Sequence, residues 1–427
     1  MKRYALVGTG NRGINAYFVP LLRDFVGSAE LCGICDSNLS RARAAREIAR
    51  ERLDECGGTG AEVAASVPLF DDFETMMESV RPEAVIVCSA DSTHAEYVVS
   101  CLKRNVEVFC EKPLCITAEQ AREIETTSEA SRASGWATHN MRFEPVPETI
   151  AFEIRRGTIG KVLHIEFSEL LDRAHGADYF RRWHRKMENS GGLMLTKASH
   201  HFDILNWIVG APPESVSARG RLSFYGSNGS YRGVRCSSCS YSDRCEFYAD
   251  VFQDDARRKL YGDAEQQDGY FRDGCVFDPE IDIADTVNGL LTYPDGTEVS
   301  YSLIAYASYE GIHMSIEGTK GRLEWREQSD TAWSVGGRPS AIDHDHSQLH
   351  LILSGQEPRD ITPASREGDH AGADPKLREF LFGDQREDPL GQRASLREGL
   401  DAILVGLAMN RSMGENGGPV RLDEIAG

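Results

Sequence analysis

The opening segment constrains this chain most. A short apolar run, RYALVG, leads into GTGNRG and then into INAYFVPLLRDF, whose apolar residues recur at helical spacing. Strand, tight turn and helix in direct succession begin a βαβ unit. Gly8, Gly10 and Gly13 stand in G-x-G-x-x-G spacing. In that pattern the first glycine lets the chain turn, the second lets the backbone approach a pyrophosphate, and the third lets the helix pack close to the strand. Asn11 and Arg12 complete the loop, and the helix N-terminus behind them favours negative charge. The next strand, AELCGICD, ends in Asp36, whose carboxylate suits the two hydroxyls of an adenosine ribose and repels a 2′-phosphate. The expected cofactor is NAD rather than NADP.

Two further apolar runs, in EAVIVCSADSTHAEYV and NVEVFCEKPLCIT, each pass into a loop and a helical start. Strands alternating with helices in this way predict a doubly wound parallel sheet, with ligands beyond the carboxyl ends of its strands. Ser89 and His94, then Glu111 and Lys112, fall at those ends, and Pro113 favours an extended Lys112. A chain of 427 residues exceeds one ordinary core and implies two domains. Its 67 acidic against 47 basic residues give a net charge of −20, which repels phosphate backbones and anionic lipid and excludes nucleic acid as the expected partner. No apolar run approaches the roughly 20 residues that span a bilayer. MKRYALVGTG lacks the apolar core of a signal peptide, so the expected compartment is the cytoplasm. Eleven cysteines without an export signal argue against a disulfide framework. Cys32 and Cys35 stand three apart on a strand, face opposite ways, and are expected to be structural.

GTGNRG, CEKPL, NMRFEP, IRRGTIGKV and GGLMLTKASHHFD follow one another in the order and spacing of the Gfo/Idh/MocA oxidoreductases, relatives of glucose-fructose oxidoreductase and inositol dehydrogenase. The chain resembles that family from residue 1 to about 325, and ASLREGLDAILVGLAMNRSM looks like its closing helix. The resemblance implies an α/β protein with a Rossmann domain, placed at 1–124. It also implies a C-terminal α/β domain, placed at 125–427, whose large, mostly antiparallel open sheet covers the nicotinamide and often forms a homodimer or homotetramer interface. Lys112 and His200 would face a carbohydrate substrate, and Asn140 and Trp183 would lie near the cofactor.

LTKASHHFDILNW reads as a helix on which Leu195, Ala198, Phe202, Leu205 and Val209 form an apolar stripe. Thr196, His200 and Asp203 then share another face, with Asp203 one turn beyond His200, where it would orient the imidazole and favour its protonated form. His201 lies about 100 degrees round and reads as packing. Many family members carry an aspartate where Thr196 stands, so acid/base work must be shared among Lys112, Lys197 and His200. If both lysines face the pocket, repulsion and burial lower the pKa of at least one.

The basic run YFRRWHRKMENSGG offers Arg181, Arg182, His184 and Arg185, with Lys186, as a clamp for an anionic substrate group; the plainer reading pairs them with the excess of carboxylates. RCSSCSYSDRCEF places Cys236, Cys239 and Cys245 in C-x2-C-x5-C spacing, and Cys275 follows. Four thiolates in one reduced chain read as a closed structural zinc site, with an iron-sulfur cluster or free thiols as alternatives, pinning an insertion at about 226–281. AIDHDHSQLHL reads as an exposed strand or loop rather than a metal site, and His370 and Asp374 lie in a loop near the pocket. The chain reads as an NAD-dependent enzyme that oxidises a secondary hydroxyl of a sugar, glycoside or cyclitol. Redox-neutral glycoside hydrolysis is the alternative, and a non-catalytic NAD sensor the second.

Overall fold

The computed structural model describes residues 1–57, 59–328, 346–368, 370–383 and 387–426. The first five residues of the His- and Asp-bearing AIDHDHSQLHL segment, 341–345, lie outside them.

Six strands, β1 (Lys2–Val7), β2 (Ala29–Cys35), β3 (Leu69–Phe70), β4 (Ala84–Val87), β5 (Glu107–Cys110) and β6 (Gly135–Ala137), lie in the order 6-5-4-1-2-3, all in parallel register. The apolar runs of β1 and β4 are buried because helices cover both faces, which is why they read as continuous rather than alternating. The order reverses between β1 and β4, so the loops after these two strands open the crevice in which such sheets bind ligands. Cys32 and Cys35 are both buried in β2, as expected of structural cysteines.

The second sheet contains β7 (Val162–Asp172), β8 (Ser215–Arg221), β9 (Thr286–Thr292), β10 (Glu298–Ala307), β11 (Gly311–Gly318), β12 (Gly321–Gln328), β13 (His346–Leu353) and β14 (Arg359–Asp360). Apart from the parallel β7–β10 pair, the pairings are antiparallel. β10 alternates buried and half-exposed residues, the pattern of a sheet with one face on a core and one face open. Near the C-terminus, β15 (Ala394–Ser395) joins the first sheet against β6, and β16 (Val420–Arg421) joins the second against β8.

The first sheet therefore extends past the expected boundary at residue 124, because β6 pairs with β5 and β15 closes its edge. Between these strands the helix Leu396–Gly414 starts at a capping box of Ser395 and Glu398 and packs against elements of both sheets. One helix thus ties the two domains together.

Candidate active site

β1 delivers Gly8 with φ +90°, where a Cβ would stand 2.5 Å from the Cys88 backbone. At Gly13 a Cβ would stand 2.3 Å from the Gly8 carbonyl oxygen. Both glycines are required by the protein's own packing. Gly10 is different: a Cβ there would meet nothing closer than the Tyr261 hydroxyl at 3.6 Å. The open space above Gly10 fits a close-approaching dinucleotide.

Asp36 sits at the end of β2, nearly buried. Its Oδ2 accepts from the Thr9 amide at 2.9 Å and hydroxyl at 2.6 Å, and its Oδ1 accepts from the Asn38 amide at 2.9 Å. The Arg41 guanidinium also lies 3.4 Å from Oδ1; a carboxylate has about four acceptor sites, so a ribose hydroxyl would take the place of this long fourth contact.

Other expected cofactor residues are committed to the frame. Arg12 donates to Glu111 at 2.7 Å and to both oxygens of Asp374 at 2.5 and 3.2 Å. Asn140 donates to the same Asp374 at 2.8 Å, and His370 lies 3.0 Å from it. Burial pushes the Glu111 carboxyl up, but Arg12 and the Tyr17 hydroxyl outweigh it and hold the group below its usual range. His94 is wedged between the carbonyls of Pro113 (2.7 Å) and Ser89 (3.1 Å), so it braces the two strand-end loops. The Ser89 hydroxyl is 2.7 Å from that of Thr93.

Lys112 reaches from the end of β5 and donates to the Thr196 carbonyl at 2.6 Å. Burial, with the charges of Lys197 and Arg12, pushes its pKa down to about 8 against the raising influence of Asp91 and Glu111. His200 is held well below its usual range by burial, then by Lys112, His139 and Lys197. Its buried Nδ1 has no hydrogen-bond partner among the described residues. The imidazole is therefore neutral near pH 7.

Three expectations for this segment change. The helix is not continuous: Leu193–Thr196 and Ser199–Val209 are separate, and Lys197 stands at the break. The break frees the Thr196 carbonyl for Lys112. Asp203 does not orient His200. Fully buried, it accepts from Arg142 at 2.7 and 2.6 Å, because a guanidinium presents the paired donors that a carboxylate takes best. Arg142 continues to the Gly391 carbonyl and Glu398, both at about 2.9 Å or less. Lys197 is not a low-pKa base either. Its ammonium lies 2.9 Å from buried Glu169, which holds it charged and well above its usual range, while Lys197 and His201 take Glu169 down to about 2 against burial. His201 is buried on Tyr301 at 2.9 Å, the packing role expected of it.

The basic clamp dissolves into internal pairs. Arg181 donates to the Phe247 carbonyl at 3.1 Å and approaches the Cys236 sulfur at 3.7 Å. Arg185 pairs with Asp278 at 3.2 Å and Lys186 with Glu280 at 3.2 Å. Arg182 shares Asp178 with Arg272. Trp183 stacks on His184 at 3.6 Å between centroids, and His184 is buried. Carboxylates of the insertion supply several of the partners that the sequence separates by some 90 residues.

The cysteine expectation is met only in part. Cys236, Cys239, Cys245 and Cys275 do line one cavity, with Tyr241, Phe247 and Phe277. Yet among the described residues no group of three or more His, Cys, Asp or Glu is placed to hold a metal ion. Cys236 faces Arg181, and Cys239 accepts from the Tyr241 amide at 3.4 Å. Burial pushes the Cys236 and Cys245 thiols up. The zinc reading finds no support.

Three residues escaped the sequence reading. Asp91, after β4, is buried, and its Oδ2 has no hydrogen-bond partner among the described residues. Burial pushes it up to about 6, against His94, Lys112 and Thr196. His139 lies edge-on to His200 at 5.6 Å between centroids. Glu144 is raised well above its usual range by burial and Glu327, against Lys197. An aspartate at a parallel-strand end was the only signal available for Asp91; nothing in NMRFEP distinguished Glu144.

A family model described as "Oxidoreductase family, NAD-binding Rossmann fold" matches residues 2–135, and one described as "Oxidoreductase family, C-terminal alpha/beta domain" matches residues 153–422. The chain belongs to the Gfo/Idh/MocA oxidoreductase family. It is 31% identical over 443 aligned residues to "Putative oxidoreductase YteT" of Bacillus subtilis, covering 100% of this chain and 99% of that protein. It is 28% identical to "Glycosyl hydrolase family 109 protein 2" of Akkermansia muciniphila, over 38% of this chain and 33% of that protein. In fold it is similar to levoglucosan dehydrogenase solved with NADH and L-sorbose, at a TM-score of 0.66 and 15% identity over 100% of both chains. The chain is thus an NAD-binding oxidoreductase of the sugar and cyclitol dehydrogenase family. No helix among its described residues is long and apolar enough to cross a membrane.

Proposed function

We propose that the protein oxidises a secondary hydroxyl of a sugar, glycoside or cyclitol with NAD. The observation that carries this reading is Lys112, half-buried beside His200 at the carboxyl end of β5, bonded to the Thr196 carbonyl and with its pKa drawn down to about 8. Gly8, Gly10, Gly13 and Asp36 would hold the dinucleotide, which when bound accepts a hydride from the ring carbon and, in a redox-neutral cycle, returns it.

An acid/base group works best when its pKa lies near the operating pH, so neutral Lys112 is the proton acceptor. His200 is a poor proton acceptor among these cations. Lys197, fixed and charged on Glu169, supplies positive potential where the alkoxide forms. Three of the cations behind the expectation of an anionic substrate are paired internally, which removes most of its support.

One feature favours the hydrolytic reading. Once a ring carbon is a ketone, the neighbouring C–H is acidic; Lys112, after passing its first proton to water, removes that proton as the C–O bond to the aglycone breaks, and water then adds across the double bond formed. Glu144, whose carboxyl lies well above its usual range, is suited to give the departing oxygen its proton. The Akkermansia relative carries a glycosyl hydrolase name, in keeping with this chemistry.

Incubation with a panel of glycosides and cyclitols, following NADH absorbance and aglycone release together, tests both readings. NADH accumulating with product supports the dehydrogenase; aglycone release with catalytic NAD and no lasting NADH supports the hydrolase. Neither signal, from protein that binds NAD, overturns both in favour of a sensor. Lys112→Met is expected to cut turnover by at least about 100-fold with NAD binding kept.

A further inference from the structure

The insertion between β8 and β9 is rooted in one domain and packed onto the other. Near its root, Phe247, Val276, Phe277 and Ile281 belong to the core of the C-terminal domain. Its middle does not: Val251, Leu260 and Tyr261 are buried in the core of the Rossmann domain, among residues of β1, β2 and the helix Leu39–Cys56. The contact falls on the strand ends and loops that form the dinucleotide cradle.

At the adenosine end, Asn38, two residues past Asp36, is completely buried. Its side-chain amide donates to the Ala264 carbonyl and to Asp268, both at 2.8 Å. Arg41 donates to the same Asp268 at 2.5 Å and to the Leu260 carbonyl at 3.2 Å. The Ser40 amide donates to the Gln267 side chain at 3.0 Å. At the pyrophosphate end, the Tyr261 hydroxyl accepts from the Asn11 amide at 3.1 Å, beside the open space above Gly10. A phenol that accepts there keeps its own proton to donate. Past Tyr261, Arg272 lies 5.4 Å from that ring and shares Asp178 with Arg182, and the Nε atoms of both arginines have no hydrogen-bond partner among the described residues.

We propose that residues 251–272 of the insertion form the outer wall of the dinucleotide site. Asp268, Asn38 and Arg41 clasp the adenosine end, and the Tyr261 hydroxyl donates to the pyrophosphate. Cofactor then enters or leaves only when this segment lifts off the Rossmann domain, so one NAD(H) stays through successive turnovers. The inference rests on the proposed NAD chemistry and adds retention to it. Retention suits a redox-neutral cycle, which needs its hydride back, and burdens a dehydrogenase that must exchange cofactor at every turnover.

The test is the rate at which protein-bound NADH, read by its fluorescence, is displaced by excess NAD without any sugar present. Slow displacement is expected from the native protein, accelerated at least about tenfold by Asp268→Ala, which removes the acceptor shared by Asn38 and Arg41. Gln267→Ala, a milder loss on the same segment, is expected to accelerate it less. Tyr261→Phe, which keeps the ring, is expected to weaken NADH binding at least about threefold. Unchanged melting temperatures exclude unfolding as the cause; if Asp268→Ala does not fold, Gln267→Ala and Tyr261→Phe decide. Native displacement as fast as in the variants, or variants with native rates, overturns the wall. A native protein that binds no NADH at all overturns the NAD reading itself, a distinct outcome.

Discussion

At the scale of single residues, the site is set by what each charge finds next to it. Two lysines at the pocket, Lys112 and Lys197, have opposite fates. Lys197 meets Glu169 and stays charged, whereas Lys112 meets a carbonyl, a second lysine and burial, and titrates near 8. If neutral Lys112 is the acceptor, oxidation rises with pH and levels off above about 8. Asp91 raises the Lys112 pKa, so Asp91→Asn removes a stabilising negative charge and lets the ammonium lose its proton more readily. The expected outcome is a kcat/KM profile whose rise moves to lower pH. A midpoint unmoved or moved upward removes Asp91 from the neighbourhood of the reacting proton.

At the scale of elements, the helix Ser199–Val209 shows how a motif can be present and play another part. His200 and Asp203 have the spacing of an oriented imidazole, but Arg142 arrives from the segment after β6 and takes the carboxylate with two bonds. That pair holds the helix to the Gly391 loop and to the start of the helix Leu396–Gly414. Asp203→Ala strands a buried guanidinium, and breaking such a pair typically costs about 3–5 kcal/mol. The expected outcome is a lower denaturant midpoint, with the pH profile of the remaining activity unchanged. A fully stable variant with an altered profile would instead restore the orienting role to Asp203.

At the scale of the whole molecule, two sheets face one crevice, and the insertion and the closing helix span it. The open face of the second sheet carries Leu290, 57% exposed, in line with half-exposed Ser300 and Ser302 on β9 and β10. If the chain forms the expected homo-oligomer, this face is the predicted contact. Light scattering is expected to give a dimer or tetramer for the native chain and a smaller species for Leu290→Lys; a native monomer rules the contact out.

The sequence by itself determined the Rossmann half, because a glycine's need for positive φ, an acid at a strand end and unbroken apolar runs are local demands, met within a few residues. It also marked Lys112 and His200 as neighbours of the reaction through the resemblance their motifs carry. Tertiary structure alone decided their states. Asp203 belongs to Arg142, the basic run to the insertion, and Asp91 to the surroundings of Lys112, through pairings that join residues tens to hundreds of positions apart. Charge and burial depend on which groups the fold brings within a few ångströms, and no local pattern in the chain encodes that.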